Sequence, residues 1–390
     1  MITERLKIYY IENARLPTEK AHGYQIMKTC AALAKQDLDI TLFHADRKNP
    51  LAAKDPFEYY GMEKTFKISR LPVWDVLTDA PSFFWSAAFV IERWTFIRSL
   101  RRRMESLDEC DVWYTRDPVV AQALVAMKTM KPIFLELHDS PLSNMGRWKR
   151  IKDKMSGFIV ITKGLKDLLG GQGIAEDKIC VAMDAFDPGE FIGLPEKAEV
   201  RQRLNLDAGK TIFVYTGHLF PWKGMDAIAL AFDRIPERSE FVIVGGNPED
   251  MERVKKLVPL GTKNVRFMGH MSHAEVLQWL TAVDAAILPT SAKFEIGRLY
   301  TSPIKLFEYL AAGLPVIASD VPSSHEVLDE NMGIFFKPDD EESFAEALGR
   351  FVGYPSEVKK RMSEECRKTS LTFTWQKRGL IIVSFIRNNL

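Results

Sequence analysis

Cysteine is scarce and scattered in this 390-residue chain. Cys30, Cys110, Cys180 and Cys366 stand alone, with no spacing that would pair them in a zinc or redox motif. A reducing compartment is the simplest setting for them. Long apolar runs are missing too, since none approaches the ~20 residues that a bilayer span needs. The first residues, Met1-Ile2-Thr3-Glu4-Arg5-Leu6-Lys7, run straight into the strand-like Ile8-Tyr9-Tyr10-Ile11, so no signal peptide is expected. Nor is there an excess of one charge. With 53 Lys and Arg against 52 Asp and Glu, the formal net charge is +1, which gives no support to general nucleic-acid binding. Residues 1–186 hold 28 basic against 24 acidic side chains and the remainder 25 against 28, a weak lean towards an anionic partner for the first half. No Gly-x-Gly-x-x-Gly follows the first strand, which counts against a nicotinamide dehydrogenase. There is no solenoid repeat and no low-complexity tract.

What is present is an ordinary globular composition, 46% hydrophobic and 27% charged, in a chain too long for one compact core. Strand-like and helix-like segments alternate, which predicts parallel sheets covered by helices. Strands are read at 7–11, 40–44, 111–115, 133–137 and 158–161, with a helix at 23–35. The texture changes at Asp187-Pro188-Gly189 and Leu194-Pro195-Glu196-Lys197, a linker signal. A second series follows at 211–215, 241–244, 265–268, 285–288 and 316–318. The expected organisation is an α/β chain of two doubly wound domains, 1–186 and 187–370, with a tail at 371–390 that returns to the first. In open parallel sheets ligands collect beyond the carboxyl ends of the strands. A cleft between two such domains is therefore the expected active site.

The most informative stretch is Ser302 to Gly313. Ser302 reads as an N-cap, Pro303 as the first helical residue and Gly313 as the left-handed stop before strand-like Leu314 to Ala318. Lys305 and Glu308, three apart, share one face. Free N–H groups at the helix start, with Lys305 beside them, suit a phosphate. Glu308 falls about 9 Å further along the axis, at a span that fits ribose hydroxyls. A packed helix with a solvated Lys–Glu pair is the competing reading of these twelve residues.

Thr216-Gly217-His218-Leu219-Phe220-Pro221-Trp222-Lys223-Gly224 follows a buried strand and offers a close backbone approach with a mobile cation. This passage resembles the Gly-Arg-Leu-x-x-x-Lys-Gly pattern of the family-4 glycosyltransferases, retaining enzymes of the two-domain GT-B fold. Val244-Gly245-Gly246 is similar to that family's Val-Gly-x-Gly turn. Val265 to Gly269, with His270 and Met271 and then Trp279 to Asp284, resembles its base-side loop and helix. Ser302 to Asp320 resembles its nucleotide-binding segment. The resemblance covers nearly the whole chain and is strongest from 211 to 340.

The resemblance implies Lys223 on the diphosphate and Glu308 on the ribose, with Gly217, Gly245, Tyr300 and Ser302 around the donor. Two positions depart from the pattern: His218 replaces an arginine and Tyr300 a glutamate, and Lys305 is expected to supply the cation that His218 does not. In the first half, Arg15 to Gly23 resembles the loop that closes over donor and acceptor. Gly23 would admit the β-phosphate to backbone N–H groups, although a plain helix-opening turn fits as well. Glu19, His22 and Arg116 are acceptor-binding candidates, Arg116-Asp117 also reading as an internal salt bridge. His138 matches a family histidine near the donor sugar and is the third catalytic candidate, with Lys223 and Lys305.

Other features read as structural. Asp37-Leu38-Asp39 precedes a strand and so falls at the wrong end of the sheet for a metal. Ser323-Ser324-His325-Glu326 fits a capping box, and Asp339 to Glu342 a helix start. Pro81 to Met104 is aromatic (Phe83, Phe84, Trp85, Phe89, Trp94, Phe96) and ends in Arg98, Arg101, Arg102 and Arg103. It reads as a covering helix, with a membrane-surface helix as the alternative. Arg147-Trp148-Lys149-Arg150 is a second basic-aromatic cluster. The reaction expected is sugar transfer from a nucleoside-diphosphate sugar to a glycan or lipid-linked acceptor, in cell-surface polysaccharide synthesis. Retention, no metal or other cofactor, and a cytoplasmic setting at the inner membrane face are part of that expectation. A GT-B nucleotide-sugar epimerase and a non-catalytic sugar-nucleotide binder stay open beside it.

Overall fold

The computed structural model describes residues 5–76, 81, 84–105 and 109–390. Met1 to Glu4 and Phe83 lie outside the described residues. The chain divides into two compact units, one formed by residues 1–161, 165–182 and 375–390, the other by 162–164 and 183–374.

The N-terminal unit runs β1 (Lys7–Glu12), α1 (Ala21–Ala34), β2 (Asp39–Asp46), α2 (Pro56–Tyr59), β3 (Lys67–Pro72), α3 (Trp85–Met104), β4 (Val112–Thr115), α4 (Pro118–Ala126), β5 (Ile133–Leu137), α5 (Met145–Ile151), β6 (Gly157–Val160), α6 (Lys163–Gly171) and β7 (Ile179–Val181). Its strands, apolar and buried except at the β3 edge, form one sheet in the order β3-β2-β1-β4-β5-β6-β7. Every pairing is parallel, with Tyr9 opposite Thr41 on one side and Trp113 on the other. The order reverses between β1 and β4, so the loops after these strands diverge and leave a crevice at their carboxyl ends.

The C-terminal unit repeats the plan with α7 (Lys197–Arg203), β8 (Thr211–Thr216), α8 (Met225–Ala229), β9 (Ser239–Val244), α9 (Pro248–Lys255), β10 (Val265–Gly269), α10 (His273–Ala282), β11 (Ala285–Leu288), α11 (Glu295–Leu299), α12 (Ile304–Ala311), β12 (Val316–Ser319), α13 (Pro322–His325), β13 (Gly333–Phe336), α14 (Glu341–Gly353) and α15 (Ser356–Ser370). The parallel sheet order is β10-β9-β8-β11-β12-β13, reversing between β8 and β11. Residues of β8, β9, β11 and β12 alternate between two cores, Val214 and Val242 on one face, Phe213 and Phe241 on the other. Both units are thus doubly wound.

The last helix, α16 (Trp375–Asn388), belongs to the N-terminal unit. It lies against α1 so closely that a Cβ on Gly379 would press on the Ala32 backbone. Ile382, Val383 and Ile386 enter the same core as Ile26, Met27 and Leu33.

Several local expectations need correction. Ser302 does not cap α12, which begins at Ile304 after an extended Pro303; the Ser302 hydroxyl accepts instead from the Asp184 N–H at 3.0 Å. The capping box at Ser323 to Glu326 does not form. The Glu326 carboxylate accepts from the N–H groups of Lys163 and Gly164 at 2.7 and 3.2 Å. A capping box does form at Ser272 and Glu275, opening α10. Asp340 caps α14, as expected of an acidic helix start. Asp37 and Asp39 are spent on surface ion pairs with Arg5 and Lys67.

Candidate functional site

At the carboxyl ends of β8, β9 and β10 three glycine turns are stitched together. Gly217 N–H donates to the Val244 carbonyl at 2.8 Å, and Gly245 N–H to the Gly269 carbonyl at 2.7 Å. Gly217 and Gly245 have φ of 109° and 112°, open only to glycine at low cost, and a Cβ on Gly245 would press into the Gly217 backbone. The turn therefore needs glycine at both places. Tyr309 of α12 fixes the strand below it: its hydroxyl accepts from the Thr216 N–H at 2.8 Å. The loop continues through a 3-10 turn at Pro221–Lys223 to Gly224, whose φ is 76° and where a Cβ would overlap the Pro289 carbonyl. Arg253 of α9 binds the Leu219 carbonyl and pairs with Asp226 and Asp250, holding the loop from outside.

Two lysines meet on this floor. Lys305 Nζ lies 3.6 Å from the centroid of the Tyr215 ring, and Lys223 Nζ 4.3 Å from that of Trp222. Burial pushes Lys223 down to about 8. Burial, and then the nearby Lys223, hold Lys305 well below the usual lysine range, opposed by Glu308. Two partly desolvated cations that repel each other make a ready site for a polyanion.

Glu308 is 6% exposed, and its carboxylate meets His273 Nε2 at 2.8 Å. His273 Nδ1 stands 3.9 Å from Glu190, so one imidazole bridges two carboxylates. His273 was not legible in the sequence; the Ser-x-x-Glu box that starts α10 was the only signal near it. His218 stacks on Phe220 at 5.0 Å. His270 is exposed and Met271 partly buried against the core. Tyr300 is 5% exposed at the end of α11.

The N-terminal unit has its own polar crevice beyond β1, β4 and β5. His138 Nε2 meets Glu136 at 2.5 Å, and Glu136 also takes the Arg378 guanidinium at 2.7 Å and the Tyr114 hydroxyl. Burial opposes ionisation of Glu136, but Arg378, then His138, hold it well below the carboxylate range. Arg378 comes from α16, so the tail helix sets the surroundings of His138. Arg116 donates to Gln25 at 3.3 Å, while Asp117 caps α4. His22 is pushed down to about 4 by burial and then by Arg116, Lys20 and Arg15, so it is neutral at pH 7. Glu19 pairs with Arg15 at 2.5 Å. Glu12, half-buried at the end of β1, is pushed up to about 8 by desolvation of its carboxyl, despite Arg116.

Gly23 does not present its N–H to a ligand. That group donates to the Lys20 carbonyl at 3.0 Å, inside the first turn of α1. The missing Cβ makes room for Tyr60, whose hydroxyl bridges the Thr18 N–H and carbonyl at 2.9 and 2.8 Å.

Residues 210–353 match the family model of the glycosyl transferases group 1. Among curated relatives, the chain is 25% identical over 238 residues to the teichuronic acid biosynthesis glycosyltransferase TuaC of Bacillus subtilis, covering 59% of this chain and 58% of that one. It is 25% identical over 283 residues to a D-inositol 3-phosphate glycosyltransferase of Corynebacterium glutamicum, covering 68% and 65%. The chain spans about half the length of the curated relatives it matches. Among solved structures, sucrose-phosphate synthase from Thermosynechococcus elongatus superposes with a TM-score of 0.78 at 18% identity, over 98% of this chain and 99% of that one. Anabaena HepE, solved with UDP and glucose, gives 0.74 at 16% identity, over 98% and 100%. The fold is GT-B.

Proposed function

We propose that this chain is a retaining glycosyltransferase that moves a sugar from a nucleoside-diphosphate sugar to an acceptor. The observation that carries the proposal is the pair Lys223 and Lys305, held beside the Gly217–Gly245 turn at the sheet's switch point. The diphosphate takes both cations and the turn's backbone; the ribose takes Glu308, oriented by His273. Sugar transfer breaks the bond from the anomeric carbon to the phosphate oxygen, and the two lysines stabilise the charge that forms there without a metal. The acceptor hydroxyl attacks from the leaving-group face, and its proton passes to the departing phosphate oxygen. His138 is assigned to the transferred sugar, and Glu19, His22 and Arg116 to the acceptor. The likeness to a teichuronic acid biosynthesis enzyme supports a glycan or lipid-linked acceptor in cell-surface polysaccharide synthesis, at the inner face of the membrane.

The test is release of nucleoside diphosphate with acceptor present, in wild type, Lys223→Ala and Lys305→Ala. Each variant should lose about 10²-fold or more in turnover with its circular dichroism unchanged. Wild-type rates in both would end the assignment.

A further inference from the structure

A cavity of about 330 Å³ lies at the carboxyl ends of β4 and β5 in the N-terminal unit, a size that suits a small ligand. Three elements each bring an arginine to its wall: Arg93 from α3, Arg116 after β4 and Arg147 from α5. Two carboxylates also line it, and both are engaged by backbone. Asp117 accepts from the Val119 N–H at 2.7 Å and Asp139 from the Ser140 N–H at 2.7 Å.

The donors on the wall are incompletely used. Trp148 is 1% exposed, and its indole Nε1–H is buried with no hydrogen-bond partner among the described residues. Arg93 Nε is buried in the same condition, its guanidinium stacked 4.5 Å from the centroid of Phe89. A buried donor without a partner destabilises the fold, and an acceptor oxygen placed there relieves it. Arg147 donates through Nε to Gln122 at 3.2 Å. Burial, then Arg93 and Arg150, hold its guanidinium below the usual range, against Asp117. The cluster therefore repels itself and is relieved by an anion with several acceptor oxygens.

We propose that this cavity binds a phosphate or diphosphate carried by the acceptor, anchored by Arg93, Arg147 and the Trp148 indole. The proposal rests on the glycosyltransferase reading and narrows its acceptor to a phosphorylated one. Such a group has two sources, a lipid-linked diphosphate or a soluble sugar phosphate. Both offer the same oxygens to a planar guanidinium fork.

Titration calorimetry on the full chain tests it. UDP binding is measured first, so that failure of the nucleotide reading shows by itself. With UDP at saturating concentration, or omitted if it does not bind, the probes are pyrophosphate, glucose 1-phosphate, geranyl diphosphate and glucose. The phosphate-bearing probes should bind and glucose should not. Arg93→Gln with Arg147→Gln should lower the affinity at least tenfold. Arg93→Lys with Arg147→Lys keeps the charge but loses the fork, so it should recover only part of that loss. If the double glutamine variant does not fold, Arg93→Gln alone should still lose at least threefold. Tighter binding of geranyl diphosphate than of glucose 1-phosphate assigns the lipid-linked source, and the reverse assigns the soluble one. The proposal is overturned if no phosphate probe binds or if the glutamine variants bind like wild type.

Discussion

Lys223 and Lys305 show how the fold raises the energy of single residues to make a site. Each is partly removed from water, and Lys223 further disfavours the charge on Lys305. In the proposed reading a bound diphosphate reverses both effects and favours the charged forms. Its arrival therefore raises both values, so binding takes up protons wherever the free lysines are not fully charged. Affinity should then fall as pH rises through about 8, the value to which burial pushes Lys223. Calorimetry of UDP binding at pH 8, in buffers of different ionisation heat, should give an uptake of about half a proton or more. No proton uptake would contradict the account. That Lys305 and Glu308 share a helix face was legible from their spacing, and that Lys223 lies in a glycine-bounded turn after a buried strand was legible from its neighbours. His273 was not, because its contact with Glu308 spans 35 positions and no local pattern encodes it.

At the scale of elements, the sequence was most legible where strands are buried on both faces. The apolar runs of β1, β5, β8, β9 and β11 stand out, and their ends agree with the structure to within about two residues. β3, β7 and β13 were missed for separate reasons. β3 is an edge strand carrying Lys67, Ser69 and Arg70, β7 has three residues, and β13 begins at a glycine. Helix starts misled where a tertiary partner took the capping group, as the Asp184 N–H takes the Ser302 hydroxyl and the Lys163 and Gly164 N–H groups, in the same unit, take the Glu326 carboxylate. The tail helix α16 is tied to β5 by Arg378, which reaches Glu136 at 2.7 Å, Thr29 at 2.9 Å and the Ala182 carbonyl at 3.3 Å. Removing that guanidinium leaves a buried carboxylate with His138 and Tyr114 as its remaining partners. Arg378→Ala should cost about 3–5 kcal/mol in urea unfolding. A loss under about 1 kcal/mol would mean that the pair does not hold the helix.

For the whole molecule, the proposed sites lie at the carboxyl ends of parallel sheets, while one outer helix exposes large apolar side chains. α3 buries Ala88, Phe96 and Leu100 as a covering helix does, and leaves Phe84, Trp85, Phe89, Val90 and Trp94 exposed. Its last turn carries Arg101, Arg102 and Arg103. Apolar area beside a basic cluster suits an anionic lipid surface. No helix among the described residues is long and apolar enough to cross a membrane, so such contact would lie in the interface. Trp148, in the other basic-aromatic cluster, is buried beside the N-terminal cavity and does not face solvent. Cosedimentation with vesicles containing phosphatidylglycerol should capture wild type and lose about tenfold in affinity for Trp85→Ser with Trp94→Ser. Equal capture of the variant would remove the membrane contact and leave α3 as a cover for the sheet.

The claim on which the rest depends is that the helix from Ile304 to Ala311 and the Gly217–Lys223 loop together hold a nucleotide sugar. The melting midpoint of the full chain, measured across a panel of nucleotide sugars, tests it without knowledge of the acceptor. At least one nucleotide sugar at about 100 times its Kd should raise the midpoint by about 5 °C, and Lys223→Ala should abolish most of that rise. No shift with any of them, or an undiminished shift in Lys223→Ala, would contradict the account.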